Sequence, residues 1–366
     1  MVANVEAPVV PAQTRVLGLD AARALATFAM VIGHTADGLL SDAARELPWV
    51  KTYWSFRGLT APLFLFVAGW AVVASVQRDG KTGWALIKAR AGRVALLFAL
   101  GIALRWPGWN VSGVFTFDRE VWRHLTGFDA LHAVGGSLLL GVLLFSVVRT
   151  PRARTAALFA AGAFFPLVST AVWVWAETMP APLTLHSALV GDGESPFPLF
   201  PWAGYFFCGA LTGQVLSFVP KQASRTVALI ATGAACVALC AAVGLRDLTQ
   251  TSPTLFFYRL GQVWIVVGTL SALPMSAAVW LSPLGRSSLV MYVAHLPIVY
   301  GWSTIPGLSG RYGRVLSPLQ VIAVAAVLLL FGFTLARLLR RAKKWLRARA
   351  TLPRRETPDI NAGAVS

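Results

Sequence analysis

One apolar stretch, residues 16–36, carries three ionisable side chains at helical spacing: Asp20, Arg23 and His34. Arg23 and His34 are eleven residues apart, about three turns or roughly 16 Å of helix, so they share one stripe. A histidine suits proton transfer, an arginine suits phosphate binding, and Asp20 can partly neutralise Arg23. Such groups in an apolar helix usually face a protein interior or a watery cavity and mark function. The alternative is that they only fix this helix against its neighbours.

The composition predicts an integral membrane protein. Of 366 residues, 56% are hydrophobic and 13% are charged, and apolar runs of about 20 residues recur along the chain. The formal net charge of +17 comes from cations between and after these runs. We therefore predict no nucleic-acid partner and attribute the cations to loops retained on one side of a membrane.

The pattern predicts an all-α, polytopic protein of about ten transmembrane helices. The apolar segments are 16–38, 58–77, 88–106, 130–149, 154–176, 198–218, 225–245, 255–281, 286–303 and 317–339. Short basic loops alternate with longer loops that contain acidic residues. Because basic loops stay in the cytoplasm, both termini are predicted to be cytoplasmic.

Three regions divide the chain. Residues 1–14 include two prolines and are predicted to form a flexible tail, and residues 15–341 form the transmembrane domain. Residues 342–366 form a basic cytoplasmic tail. We expect the dense cations from Arg337 onward to bind anionic lipid, with a specific partner as the alternative.

Several further polar residues lie near the predicted helix ends or inside the apolar segments. Asp129 and His132 share a face and could orient groups, relay protons or only pin a helix, and His295 with Tyr292 could contact substrate or bond between helices. Arg105 and Arg259 are candidates for binding an anionic acceptor, or for reaching the membrane interface. Trp54, in the loop after His34, is a candidate for stacking on a sugar, although most tryptophans here fit aromatic belts.

The first segment resembles the first helix of the membrane acyltransferase 3 family, in Leu19-Asp20-Ala-Ala-Arg23-Ala-Leu-Ala followed by His34. The stretch Phe56-Arg57-Gly58-Leu-Thr-Ala-Pro62-Leu-Phe64-Leu-Phe66-Val-Ala-Gly69-Trp is similar to that family and to its heparan-α-glucosaminide N-acetyltransferase-like relatives. Those relatives have counterparts of three further stretches, which begin at Phe128, Phe200 and Ser287. Two features depart from the pattern: Ala24 replaces a common glycine, and residues 35–55 contain no histidine.

The resemblance implies transfer of an acyl group, with acetyl expected, from cytoplasmic acetyl-CoA to a hydroxyl or amine outside the membrane. In the family the arginine and histidine of the first helix are required. A channel beside the first helix would place the donor phosphates among the inner cations, so they are expected at Arg23, Lys88, Arg90 and Arg93. His34 is expected to act as a general base or to carry the acyl group itself, and no metal is expected.

The expected partners are acyl-CoA, membrane lipid and an acceptor that is a glycan, a lipid-linked sugar or a small molecule, with a homo-oligomer also considered. The expected location is a bacterial inner membrane. A multi-span transporter of a small solute is the main alternative, because intramembrane charges and prolines also fit a carrier. The lack of recognisable half-repeats argues against a carrier, and a scaffold without catalysis would leave the polar stripe of the first helix unexplained.

Overall fold

The computed structural model describes residues 17–108, 111–178, 183–245 and 247–350. This part of the chain is almost entirely helical, which confirms the predicted all-α class. The helices are α1 (Leu17–Leu39), α2 (Asp42–Arg45), α3 (Pro48–Arg57), α4 (Thr60–Asp79), α5 (Gly83–Leu104), α6 (Ser112–Phe115), α7 (Arg119–Thr126), α8 (Ala130–Val147), α9 (Pro151–Thr178), α10 (Leu183–Leu189), α11 (Leu199–Leu216), α12 (Gln222–Val243), α13 (Pro253–Ser271), α14 (Met275–Gly285), α15 (Ser288–Tyr300), α16 (Leu308–Tyr312) and α17 (Pro318–Ala350).

The described residues also contain one small antiparallel ribbon. Strand β1 (Gly301–Trp302) pairs with β2 (Ile305–Pro306) directly after α15. The ribbon and α16 connect α15 to the last helix, α17.

Local sequence explains where several of the long helices begin and end. The Asp129 carboxylate accepts hydrogen bonds from the backbone amides at the start of α8, as an N-cap does. Ser252 caps α13 in the same way, and Pro253 follows at the first helical position. Helix α4 ends at Gly80, which adopts the left-handed conformation with φ +62° that glycine tolerates.

Close helix contacts depend on glycine. Gly69 of α4 packs on the backbone carbonyl of Phe206, and Gly209 of α11 packs on that of Phe66. A Cβ on Gly233 of α12 would lie only 2.5 Å from the carbonyl oxygen of Gly261 in α13. Small residues of this kind let helix backbones approach each other, which is typical of helix packing in membranes.

Five helical stretches in the described ranges are long and apolar enough to cross a membrane: Pro48–Asp79, Ala130–Val147, Pro151–Thr178, Gln222–Val243 and Pro318–Ala348. Several apolar side chains on these helices are exposed, including Phe159, Val227, Leu239 and Leu330. Exposed apolar surface on long apolar helices is expected where lipid covers it. The total of ten spans and the cytoplasmic position of both termini remain predictions.

The predicted eighth segment, 255–281, is not one helix. It is divided into α13 and α14, which are separated by residues 272–274. Pro274 precedes the first residue of α14, and a proline there has no amide hydrogen to continue the bonding of α13. The prediction of one continuous segment was wrong because apolarity alone does not reveal this break.

The two predicted tails extend beyond the described residues. Residues 1–14 lie entirely outside them. Helix α17 continues without interruption through residue 342 to Ala350, so the start of the predicted basic tail prolongs the last helix, and residues 351–366 lie outside the described ranges.

Candidate active site

A cavity of about 870 Å³ lies among α1, α3, α4, α5, α8, α11 and α13–α15. This volume is within the range of small-molecule sites in proteins. Five arginines and His34 line the cavity. Apolar side chains form much of the wall, among them Met30, Phe64, Leu97, Leu131, Val134 and Leu289.

One end of the cavity, the arginine end, contains Arg23 and Arg286, and Arg93 also lines the cavity. Gly285 packs on the backbone carbonyl of Asp20, which brings the neighbouring Arg286 to the level of Arg23. The Asp20 carboxylate accepts a bond of 3.2 Å from Arg23 and one of 2.9 Å from the hydroxyl of Ser282. These bonds satisfy a carboxylate that is only 2% exposed and hold the Arg23 guanidinium at the cavity wall.

The histidine end is formed by His34, Trp54, Arg57 and Arg259. His34 lies eleven residues beyond Arg23 on α1, roughly 16 Å away at 1.5 Å per residue. The two ends of the cavity are thus separated along the axis of a single helix.

Hydrogen bonds connect His34 to two neighbours at this end. Its Nδ1 is 3.0 Å from the hydroxyl of Tyr300, and that hydroxyl donates to Asp37 Oδ2 at 2.9 Å. Arg57 donates to the other carboxylate oxygen of Asp37, also at 2.9 Å. Asp37 is one turn beyond His34 on α1, so the helix itself places the carboxylate beside the imidazole.

This network determines which imidazole nitrogen carries the proton. The Tyr300 hydroxyl has one hydrogen, which it donates to the Asp37 carboxylate, so it accepts from His34 Nδ1–H. The lone pair of His34 is then on Nε2. Within the described part of the chain, Nε2 has no hydrogen-bond partner, and His34 lines the cavity.

The two arginines at the histidine end are held differently. The Arg57 guanidinium lies 5.3 Å from the centre of the Trp54 ring, a cation–π contact, and is ion-paired with Asp37. Arg259 packs over Gly58, because a Cβ there would lie 2.7 Å from its Nη2. A side chain at position 58 would displace the Arg259 guanidinium.

The helices that form this cavity belong to a stretch of the chain that matches a known protein family. Residues 16–337 match the acyltransferase 3 family, described as an acyltransferase domain. The chain belongs to this family. No curated protein matches the sequence. The family match supports a multi-pass membrane acyltransferase in general, and it covers every helix that lines the cavity.

Two of the four predicted donor-binding cations of this acyltransferase-family protein line the cavity, Arg23 and Arg93. The other two do not. Arg90 is bonded to Asp79 and to the hydroxyl of Ser75, and Lys88 lies over the Trp84 ring. Lys88 is five residues from Arg93, so the two side chains project about 140° apart around α5.

Asp129 and His132 are paired with each other rather than with His34. Asp129 caps α8, and its Oδ1 is 2.8 Å from His132 Nδ1. Both are buried, and neither lines the cavity although Ala130 and Leu131 do. The His132 ring also packs against Phe98. These contacts fix the start of α8 behind the cavity wall, and a catalytic role of the two residues stays a prediction.

Arg105 is also outside the cavity lining. Its guanidinium donates to the Glu194 carboxylate at 3.1 Å, to the Glu194 carbonyl at 2.7 Å and to the His124 carbonyl at 3.0 Å. In the same loop, burial raises the pKa of Asp192, but hydrogen bonds from Arg123 and from backbone amides outweigh it and lower the pKa overall. Arg105 therefore ties a polar loop to the end of α5.

His295 lies beside His34 but is itself buried. It is 2% exposed, its Nδ1 donates to the Met291 carbonyl at 2.7 Å, and its ring centre is 5.3 Å from that of His34. Its Nε2 is buried and has no partner among the described residues. Tyr292, on the same helix, lines the cavity.

The sequence alone did not identify four residues of the site as functional: Arg57, Arg286, Asp37 and Tyr300. Asp37 follows His34 by three residues, a helical spacing that could have identified it. Tyr300 carried no such signal, because it comes from α15, 266 residues away in sequence.

Proposed function

We propose that this protein transfers an acyl group, with acetyl expected, from acyl-CoA to a hydroxyl or amine of an acceptor. The observation that carries the proposal is one cavity that Arg23 lines at one end and His34 lines at the other, roughly 16 Å apart along α1. Acyl-CoA has the matching form, with phosphates far from its thioester. The proposal assigns the phosphates to the arginine end and the thioester to His34.

Charge supports the placement of the donor. Arg93 and Arg286 have no ion-pair partner among the described residues, and Arg23 remains at the wall although Asp20 is bonded to it. Phosphate groups would form charge-assisted hydrogen bonds with these guanidinium groups. The apolar wall between the ends suits the uncharged part of the donor.

His34 is assigned as the general base. Its Nε2 takes the proton of the acceptor hydroxyl or amine while that atom attacks the thioester carbonyl carbon. The C–S bond then breaks, and the leaving thiolate takes the proton back from Nε2. Tyr300 and Asp37 hold Nδ1–H throughout and stabilise the positive charge that the ring carries between these two proton transfers.

The proposal includes the location and the second substrate. The protein is assigned to a bacterial inner membrane, with acyl-CoA arriving from the cytoplasm, because the basic loops favour that orientation. The acceptor, a glycan, lipid-linked sugar or small molecule, would reach the histidine end from the other side.

Replacement of His34 by alanine tests the proposal. Membrane vesicles from cells that express the protein contain their own acceptor, so release of CoA from added acetyl-CoA measures turnover. We expect His34→Ala to lower turnover about 10²–10⁴-fold, as loss of an acid–base group does. His186→Ala, in the short helix α10 outside the cavity lining, is the matched control and should retain full activity.

Three outcomes would change the proposal. Normal turnover by the alanine variant would remove His34 from the reaction. Release of one CoA per protein without acceptor would indicate that His34 carries the acyl group. Passage of a solute without any thioester cleavage would favour a transporter.

A further inference from the structure

Arg259 places a charged group in the cavity wall. It is half-buried, and no carboxylate lies within ion-pair distance of it among the described residues. The hydroxyl of Tyr205 interacts with it, but a hydroxyl is neutral. A guanidinium in such surroundings is costly unless an anion compensates it.

The position of Arg259 along α13 places it near the histidine end of the cavity. Ser271, at the end of α13, packs on Gly18 near the start of α1, and Arg259 is twelve residues back along α13. Twelve residues of helix are about 18 Å, and side chains tilt toward the N-terminus of their helix. Both facts direct the guanidinium toward the level of His34.

The contact with Gly58 agrees with this placement. The Arg259 guanidinium packs on Gly58, the residue after Arg57. Arg57 in turn packs on Gly33, the neighbour of His34, where a Cβ would lie 3.4 Å from its Nε. Both guanidinium groups therefore lie at the histidine end of the cavity.

Among the described residues, an acidic side chain neutralises only one of these two charges. Asp37 is paired with Arg57 at 2.9 Å, whereas Arg259 has no such partner in the described part of the chain. The proposed site for the donor phosphates is the arginine end, which is roughly 16 Å away along α1. The uncompensated charge is thus available to the other substrate.

We propose that the acceptor carries an anionic oxygen group, a carboxylate or a phosphate, which Arg259 binds. This inference rests on the proposed function. It deepens that function by naming the chemical class of the second substrate. A neutral acceptor leaves the guanidinium desolvated and unpaired, so the site selects against it.

Three probes that differ mainly in charge test the inference: glucuronic acid, glucose 1-phosphate and glucose. The full chain in lipid nanodiscs is titrated with each, without acyl-CoA. We expect at least one anionic probe to bind about tenfold or more tightly than glucose, since hydrogen bonds to charged groups are the strong ones. Which anion is preferred then distinguishes carboxylate from phosphate.

Substitutions of Arg259 test whether this residue causes the preference for an anionic probe. Arg259→Gln should reduce it to about twofold or less, and Arg259→Lys should restore part of it because the charge is kept. Arg119→Gln removes an exposed cation at the start of α7 and should leave the preference intact. Thermal unfolding of each variant without ligand shows whether that variant is folded.

Equal affinity for all three probes in the unaltered protein would overturn the inference. An unchanged preference in Arg259→Gln would also overturn it, because the anion would then bind elsewhere. Unchanged binding of the probes by Arg259→Gln together with lower CoA release would overturn it as well, since Arg259 would then act on the donor carbonyl. Because the titration contains no acyl-CoA, failure of acyl transfer with a preserved anion preference would refute only the proposed function.

Discussion

The hydroxyl of Tyr300 is the part of the proposed mechanism that can be removed with the least disturbance. Tyr300→Phe deletes one oxygen that connects His34 Nδ1 to Asp37. The Arg57–Asp37 ion pair stays in place, and Tyr300 is 40% exposed, so water can replace the lost partner of Asp37. We therefore expect an effect on catalysis without a large effect on folding.

The size of the effect follows from the change in charge on His34. A hydrogen bond between a neutral imidazole and a hydroxyl contributes about 0.5–1.5 kcal/mol, and one from a charged imidazole about 1.5–3 kcal/mol. The gain on protonation, about 1–1.5 kcal/mol, is lost in the phenylalanine variant. Turnover should fall about 5- to 15-fold.

CoA release from acetyl-CoA in membrane vesicles measures this change. The KM for acetyl-CoA should stay within about twofold, because the donor phosphates are assigned to the other end of the cavity. Tyr312→Phe, which removes the hydroxyl of an exposed tyrosine at the end of α16, is the matched control. Unaltered turnover in Tyr300→Phe would refute the role of this hydrogen bond in the reaction.

Two further substitutions distinguish a residue assigned to donor binding from one assigned to helix stability. Arg23→Gln should weaken binding of acetyl-CoA by about tenfold or more, and less so when the 3′-phosphate is absent; equal losses for both ligands in a titration of folded protein would contradict this role. Asp129→Ala removes the cap of α8 and should lower stability by about 0.5–2 kcal/mol in thermal unfolding while turnover per folded molecule stays near normal; a large loss of turnover at unchanged stability would place Asp129 in catalysis.

The sequence predicts the helices of this protein well, because their signal is local. Nine of the ten apolar segments each contain one long or medium helix at about the expected position, as with α1 for 16–38 and α8 for 130–149. The exception, 255–281, is divided near Pro274, and the continuous apolar run conceals the break. Hydrophobicity indicates burial or lipid contact, but it says little about whether an apolar run forms one continuous helix.

The site is predicted less completely, since side-chain partners come from distant segments. Arg23 and His34 share one helix, so their spacing alone indicates a common stripe. Arg105 and Arg259 look equivalent in sequence, as cations near helix ends. Tertiary contacts separate them: Glu194 binds Arg105, and Arg259 lines the cavity. Only the packing of α13 against its neighbours reveals that difference.

The most direct test of the central claim uses sealed vesicles of known orientation. If one cavity receives the donor at Arg23 and the acceptor at His34, CoA should be released only when acetyl-CoA is added on the face that bears the basic loops. The acetylated product should appear on the opposite face, and CoA should stay where it was added. Equal thioester consumption from both faces would contradict the two-ended arrangement of the site.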